Sequence, residues 1–244
     1  MDGPALLLSA RGIHKRFGSL VVLNYVDFSV GSGEAVGIVG PNGAGKTTLL
    51  NVLAGAYQPS AGEVRFRDAA ITGLDAAERC RLGIGRSHQI PRPFLGMTVF
   101  ENLITAAMHG GGFSGEQAQQ RCIDSLELSG MMRLANRRAD TLGLLDRKRL
   151  ELARALATNP AILLLDEIGG GLTDGEATEL VGTIREIRSR GITIVWIEHI
   201  VHILIQVVGR LVCMDAGQVI ADGDPKTVLA DKEVIDAYLG GVAA

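Results

Sequence analysis

The period of apolar and polar positions changes several times along the chain, and each change marks an element. Apolar stretches at 5–8 and 20–30 straddle His14-Lys15-Arg16-Phe17-Gly18, and the second alternates loosely with period two. That pattern predicts strands with an antiparallel start. Residues 34–39 read as a short buried strand, a glycine-rich loop follows, and over 46–54 Leu49, Leu50 and Leu53 fall on one side of a predicted helix. After a turn at Gln58-Pro59-Ser60-Ala61-Gly62, residues 63–66 and 70–72 read as short strands and 76–82 as a short helix. Helical spacing runs from 99 to about 136 in two or three pieces, broken by His109-Gly110-Gly111-Gly112-Phe113-Ser114-Gly115. A helix at 147–157, the apolar run 161–165, a helix from about 175 to 189 and a strand at 192–197 follow. Two short strands at 210–223 around Asp215-Ala216-Gly217 and short helices at 225–239 close the chain. Strands alternating with helices imply the α/β class, with a mostly parallel sheet. The early strands add an antiparallel β lobe, and the stretch of about 99–158 adds a helical sub-domain.

Composition narrows the function. The 24 Lys and Arg nearly cancel the 27 Asp and Glu, leaving a net charge of -3. No bulk positive field is available to attract nucleic acid, and no nucleic-acid partner is expected. Glycine is over-represented, at 32 of 244 residues, so the backbone must turn tightly or approach something closely. Cys80, Cys122 and Cys213 are too scattered for a disulfide framework or a zinc site. The N-terminal residues lack the basic and apolar regions of a signal peptide. The most apolar segment, 192–208, is interrupted by Glu198, His199, His202 and Gln206, which favours a buried strand running into a helix over a membrane span.

Two motifs carry the chemistry. Gly40-Pro41-Asn42-Gly43-Ala44-Gly45-Lys46-Thr47 has two glycines four residues apart followed by Lys and Thr, between a predicted strand and a predicted helix. Glycines let successive backbone N–H groups converge on an anion at the positive end of the helix. Lys46 reaches the outer phosphates and the Thr47 hydroxyl suits Mg²⁺. With the adjoining Thr48, residues 40–48 form the expected nucleotide-binding set. The second motif is Ile162-Leu163-Leu164-Leu165-Asp166-Glu167, a buried strand that delivers Asp166 to its C-terminal tip as a Mg²⁺ ligand. Glu167 is placed to polarise a water for attack on the γ-phosphate. No Asn-Lys-x-Asp guanine reader occurs in the chain, so GTP loses support.

From about residue 6 to 240 the sequence resembles the ATP-binding subunits of ABC transporters, whose P-loop NTPase core would make 1–244 one ATPase domain. The resemblance implies a catalytic core with its β lobe at 1–89 and 160–244. It implies ATP and Mg²⁺ as ligands, Phe17 stacking on adenine, and Gln89 at the Q-loop contacting Mg²⁺ and the membrane partner. His199 matches the switch histidine that hydrogen-bonds the γ-phosphate, and residues 169–173 the D-loop. The segment 93–103 and the tail 234–240 are most similar to the ATPases of branched-chain amino-acid uptake systems. The expected partners are membrane permease subunits and a second ATPase subunit, identical or not, at the cytoplasmic face of the inner membrane. Two rivals stand beside an importer ATPase: a non-catalytic nucleotide-binding partner, and a soluble ABC-type ATPase unlinked to transport.

One motif departs from the family. Its signature loop is usually Leu-Ser-Gly-Gly-Gln, facing ATP held by the other subunit, and the aligned residues here are Leu142-Gly143-Leu144-Leu145-Asp146. A hydroxyl donor is lost, a bulky side chain stands where close approach is wanted, and a negative charge faces an anion. Either Asp146 simply caps the helix and the loop works adequately, or the ATPase pair is an asymmetric heterodimer. The D-loop has Thr173 where Asp is common, with Asp174 beside it.

Overall fold

A computed structural model describes residues 5–240. A long hairpin, β1 (Leu6–Phe17) and β2 (Leu20–Gly31), leads into β3 (Ala35–Val39) and helix α1 (Lys46–Leu53). Next come β4 (Ala61–Phe66), β5 (Ala69–Ala70), α2 (Ala76–Leu82) and the three-residue β6 (Ile84–Arg86). Three helices follow, α3 (Val99–His109), α4 (Gly115–Leu128) and α5 (Leu144–Ala157). The chain then returns through β7 (Ile162–Asp166), α6 (Asp174–Ser189), β8 (Thr193–Ile197), α7 (Val201–Leu204), β9 (Arg210–Asp215) and β10 (Gln218–Gly223). Helices α8 (Pro225–Leu229) and α9 (Lys232–Gly240) close it.

The strands form a four-stranded antiparallel sheet, β2-β1-β4-β5, and a six-stranded sheet, β10-β9-β3-β8-β7-β6, parallel except for β10. Every residue of β3, β7 and β8 is buried, which is why these strands read as continuous apolar runs rather than alternating ones. One face of the large sheet packs with α1 and the β lobe around Ile38, Leu50, Leu164 and Ile197. The other face packs with α5 and α6 around Leu152, Leu163, Ile184 and Trp196. Helices α3, α4 and α5 share a third cluster, centred on Leu103, Cys122, Leu126 and Leu150. Reciprocal capping boxes start α2 (Asp75 with Glu78), α3 (Thr98 with Glu101) and α6 (Thr173 with Glu176).

Four local expectations change. The first strand runs to Phe17 rather than ending at residue 8, because residues 9–17 pair with β2 through bulges, burying Ala10 and Ile13 while Arg11 and Arg16 stay exposed. The strand expected at 70–72 shrinks to Ala69–Ala70, since the Thr72 hydroxyl accepts from the Val64 N–H in place of a ladder bond. β6 has no counterpart in the sequence pattern; it is too short to show a period. Helix α5 starts at Leu144, three residues before the expected start, which puts Leu144, Leu145 and Asp146 of the altered signature in its first turn. All three cysteines are free, and no helix among the described residues is long and apolar enough to cross a membrane.

Candidate functional site

The C-terminal ends of β3, β8, β7 and β6 lie side by side, with Ile38 level with Ile197, Asp166 level with Ile197, and Arg86 level with Leu164. Loops leaving these four ends carry all the expected site residues except Phe17.

The phosphate loop begins at Gly40, whose φ of 141° and close approach to the Met214 carbonyl leave no room for a side chain. A Cβ would come within 2.0 Å of that oxygen. Gly45, with φ 96°, caps α1, so the helix N-terminus opens on Lys46 and Thr47. Lys46 is buried, and its Nζ donates to the Gly40 and Pro41 carbonyls at 2.6 and 2.8 Å. Burial pushes this amine below its usual value, opposed by the charges of Glu167, Cys213 and Asp166. A cleft of about 220 Å³ is lined by Asn42, Gly43, Ala44, Gly45, Lys46, Thr47 and Thr48 together with Val22 and Glu167.

Asp166 is buried at the tip of β7. Its Oδ1 accepts from the Thr47 hydroxyl at 3.3 Å, and its Oδ2 pairs with Arg86 Nη2 at 3.3 Å. Burial raises its pKa, Arg86 works against that, and neighbouring Glu167 adds to it. A hydroxyl and a carboxylate so close together are hard oxygen donors of the kind Mg²⁺ takes alongside phosphate oxygens and water. No cluster of three His, Cys, Asp or Glu residues that could hold a metal unaided occurs among the described residues.

Glu167 lies in the left-handed region, φ 46°, which costs a non-glycine residue backbone energy and is common at functional sites. Its carboxylate is bracketed: Gln89 Nε2 donates to Oε2 at 2.5 Å, and His199 Nε2 lies 2.6 Å from Oε1. Three residues from three loops therefore meet at one carboxylate. Phe17 stands apart from the cleft lining, edge-on to Tyr57 at 5.4 Å with Lys15 Nζ over its ring. It is half-exposed one hairpin turn from Val22, pairing with Leu20 across the turn.

Packing adds residues that the motifs do not name. Arg86 bridges Asn51 Oδ1 and Asp166. Buried Glu198 accepts from the Gly169 N–H at 3.0 Å and from the His199 N–H at 3.1 Å, tying the D-loop to the histidine. Its signal was a lone acid in an apolar run beside His199. Thr173 is occupied in capping α6, while Asp174 is exposed in the first helical turn. A cavity of about 660 Å³ lies away from this chemistry at the opposite end of the sheet, where Ser32, Ala161 and Ile192 precede their strands. It mixes Arg67, Arg121 and Arg190 with Asp124, Glu127 and Glu186, and no phosphate loop borders it.

A P-loop fold with a buried strand-end carboxylate and an adjacent acid defines a nucleotide-hydrolysing cassette, and the ABC transporter family model matches residues 23–169. The chain belongs to that family as an ATP-binding, ATP-hydrolysing cassette. A second model, described as branched-chain amino acid ATP-binding cassette transporter, matches residues 218–244. The high-affinity branched-chain amino acid transport ATP-binding protein LivG of Escherichia coli K12 is 39% identical over 249 residues, covering 96% of this chain and 98% of that protein. The corresponding protein BraF of Pseudomonas aeruginosa is 36% identical, with the same coverage. Among solved structures, a nucleotide-free ATP-binding cassette of an ABC transporter superposes with a TM-score of 0.88 at 33% identity, covering 96% of this chain and 98% of that one. The ADP conformation of such a cassette gives 0.88 at 34% identity, covering 96% and 99%.

Proposed function

We propose that this chain energises a branched-chain amino-acid importer, converting ATP and water to ADP and phosphate while a separate membrane permease carries the solute. The observation that carries the reading is the convergence of residues 40–48, Asp166, Glu167, Gln89 and His199 on one edge of the sheet. Relatives named for branched-chain amino acid transport, over nearly the whole length, support the cargo class.

In this reading Lys46 leaves the Gly40 and Pro41 carbonyls for the β- and γ-phosphates, and the N–H groups of the loop beyond Gly40 and of the start of α1 hold the remaining phosphate oxygens. Thr47, Asp166 and Gln89 would hold Mg²⁺, which when bound would supply charge neutralisation of the phosphates. Glu167 accepts a proton from the attacking water. His199 passes from the Glu167 carboxylate to the γ-phosphate, so the same imidazole aligns the base and reads the nucleotide. Phe17 offers its exposed ring to adenine. Intact Lys46, Asp166 and Glu167 favour a catalytic subunit over a non-catalytic partner.

The segment between Gln89 and Thr98 is the surface offered to the permease. It exposes Ile90, Phe94, Leu95 and Met97, and it runs from the catalytic amide to the cap of α3. This docking places the subunit at the cytoplasmic face of the membrane. Detergent extraction of the tagged chain from membranes should bring down a polytopic permease; recovery with ribosomes, or alone, would overturn the transporter reading.

The second ATPase subunit is a different chain. At the start of α5 the cap is Gly143, with no side chain to donate, Leu144 is exposed, and Asp146 sits in the first turn near Arg149 at 3.9 Å. A carboxylate in the first turn competes with an incoming phosphate for the helix N-terminus. The competent site is then this chain's phosphate loop closed by a normal signature from the partner. Restoring Ser at 143, Gly at 145 and Gln at 146 in the assembled transporter should raise ATP turnover; unchanged ATPase and transport rates would sink the heterodimer.

A further inference from the structure

The last helix reaches back to the phosphate loop. Tyr238 of α9 accepts a hydrogen bond at its hydroxyl oxygen from the Gly40 N–H, at 2.9 Å across 198 residues of chain. Gly40 is the loop's first residue and its most constrained, at φ 141° against the Met214 carbonyl. Its other backbone group is also held, because the Gly40 carbonyl accepts from Lys46 Nζ at 2.6 Å. One side chain therefore restrains each side of the Gly40 α-carbon, Tyr238 through the N–H and Lys46 through the carbonyl.

We propose that Tyr238 is a positioning residue for nucleotide binding, by which the C-terminal segment sets the geometry of the phosphate loop. This rests on the reading that residues 40–48 bind the nucleotide phosphates. The two restraints are unequal in what they survive. When Lys46 moves to the phosphates it releases the Gly40 carbonyl, whereas the Tyr238 bond touches no group that the nucleotide needs and persists. Without the hydroxyl, the nucleotide-free loop still has Lys46 to hold it. The occupied loop then has neither side chain on Gly40, so the loss falls on the bound state. α9 packs on α8 and β10, and its Val234 is buried in the core cluster beside the large sheet. The hydroxyl is therefore carried on an anchored element. Burial raises the Tyr238 pKa, so the phenol stays protonated at neutral pH and its oxygen accepts as a neutral group.

The test measures ADP affinity by calorimetry and steady-state ATPase kinetics on the full chain and three variants. Tyr238→Phe removes the hydroxyl alone and should raise the ADP Kd and the ATP KM about two- to tenfold, the range of one ordinary hydrogen bond, with kcat unchanged. Val234→Ala loosens the packing of α9 and leaves the hydroxyl in place, so it should lower Tm and raise the Kd no more than Tyr238→Phe does. Lys46→Ala tests the underlying reading. A Tyr238→Phe Kd within twofold of the parent, while Lys46→Ala weakens binding strongly, overturns the role of Tyr238 alone. A loss in Val234→Ala with none in Tyr238→Phe also overturns it, because general helix docking then suffices. Parental affinity in Lys46→Ala overturns the phosphate-loop reading itself.

Discussion

The support beneath the phosphate-loop helix is the place to test the packing argument. Arg79 of α2 is fully buried, yet its guanidinium donates to four backbone carbonyls. Two, Val52 and Leu53, end α1 and would otherwise lack intrahelical partners; the others are Leu74 and Thr72. Burial pushes this guanidinium down to about 10, which still leaves it charged at neutral pH. Its stem lies against Gly55, where a Cβ would meet Arg79 Cδ at 2.9 Å. Arg79→Met keeps much of the stem and removes every donor. Val52 and Leu74 retain other donors at 3.2 and 3.4 Å, from Gly55 N and Gln58 Nε2, whereas among the described residues Leu53 and Thr72 have no donor besides Arg79. Two orphaned carbonyls at roughly 1–2 kcal/mol each, plus about 1 kcal/mol for the two weakened ones, give about 3–5 kcal/mol. At roughly 2–4 °C per kcal/mol for a chain of this size, the midpoint of thermal unfolding by circular dichroism should fall by about 6–20 °C. Nucleotide affinity measured well below the melt should change far less. A variant melting within about 2 °C of the parent would show that these carbonyls need no charged partner.

Four further outcomes concern the site directly. Glu167→Gln keeps the shape but cannot take a proton, so ATP binding should persist while phosphate release falls by about 100-fold or more; retained hydrolysis removes Glu167 from the base role. Lys46 carries a lowered pKa, so its positive charge is lost on raising pH before that of an ordinary lysine. ATP affinity of the parent should decline through the window below 10.5, and Lys46→Met, weak throughout, should show no such decline. The same shift means the buried charge opposes folding below its lowered value and ceases to do so above 10.5, so nucleotide-free stability contributed by this residue rises with pH across that window. Gly40→Ala should lose more than about tenfold in ATP affinity, because its Cβ would press on the Met214 carbonyl at a φ that alanine rarely adopts; parental affinity in a calorimetric titration would contradict the wedged geometry.

The proposed phosphate loop was legible as a motif because the chemistry proposed for it needs contiguous residues: a nest of N–H groups, one amine and one hydroxyl come from eight successive positions. Asp166 and Glu167 were legible for a related reason, since a wholly buried strand announces itself as an apolar run and its tip is where a ligand binds. Gln89 and His199 entered only through likeness to a family, as single polar residues at plausible places. Helix α5 starts three residues before the expected position because its cap, Gly143, has no side chain to mark the helix start, and the position of Leu144 and Leu145 decides what the altered signature presents to a partner.

The sequence by itself determined the class of protein, the nucleotide chemistry and the order of strands and helices, all consequences of local periodicity and short-range spacing. Tertiary structure decided which distant groups meet. β6 exists because β7 offers an unpaired edge. Arg86 finds Asp166, Arg79 finds the end of α1, Glu198 joins the D-loop to His199, and Tyr238 reaches Gly40, each across 26 to 198 residues of chain. Such pairings leave no periodic trace. They arise from burying polar groups, which must then find partners wherever the packed chain supplies them.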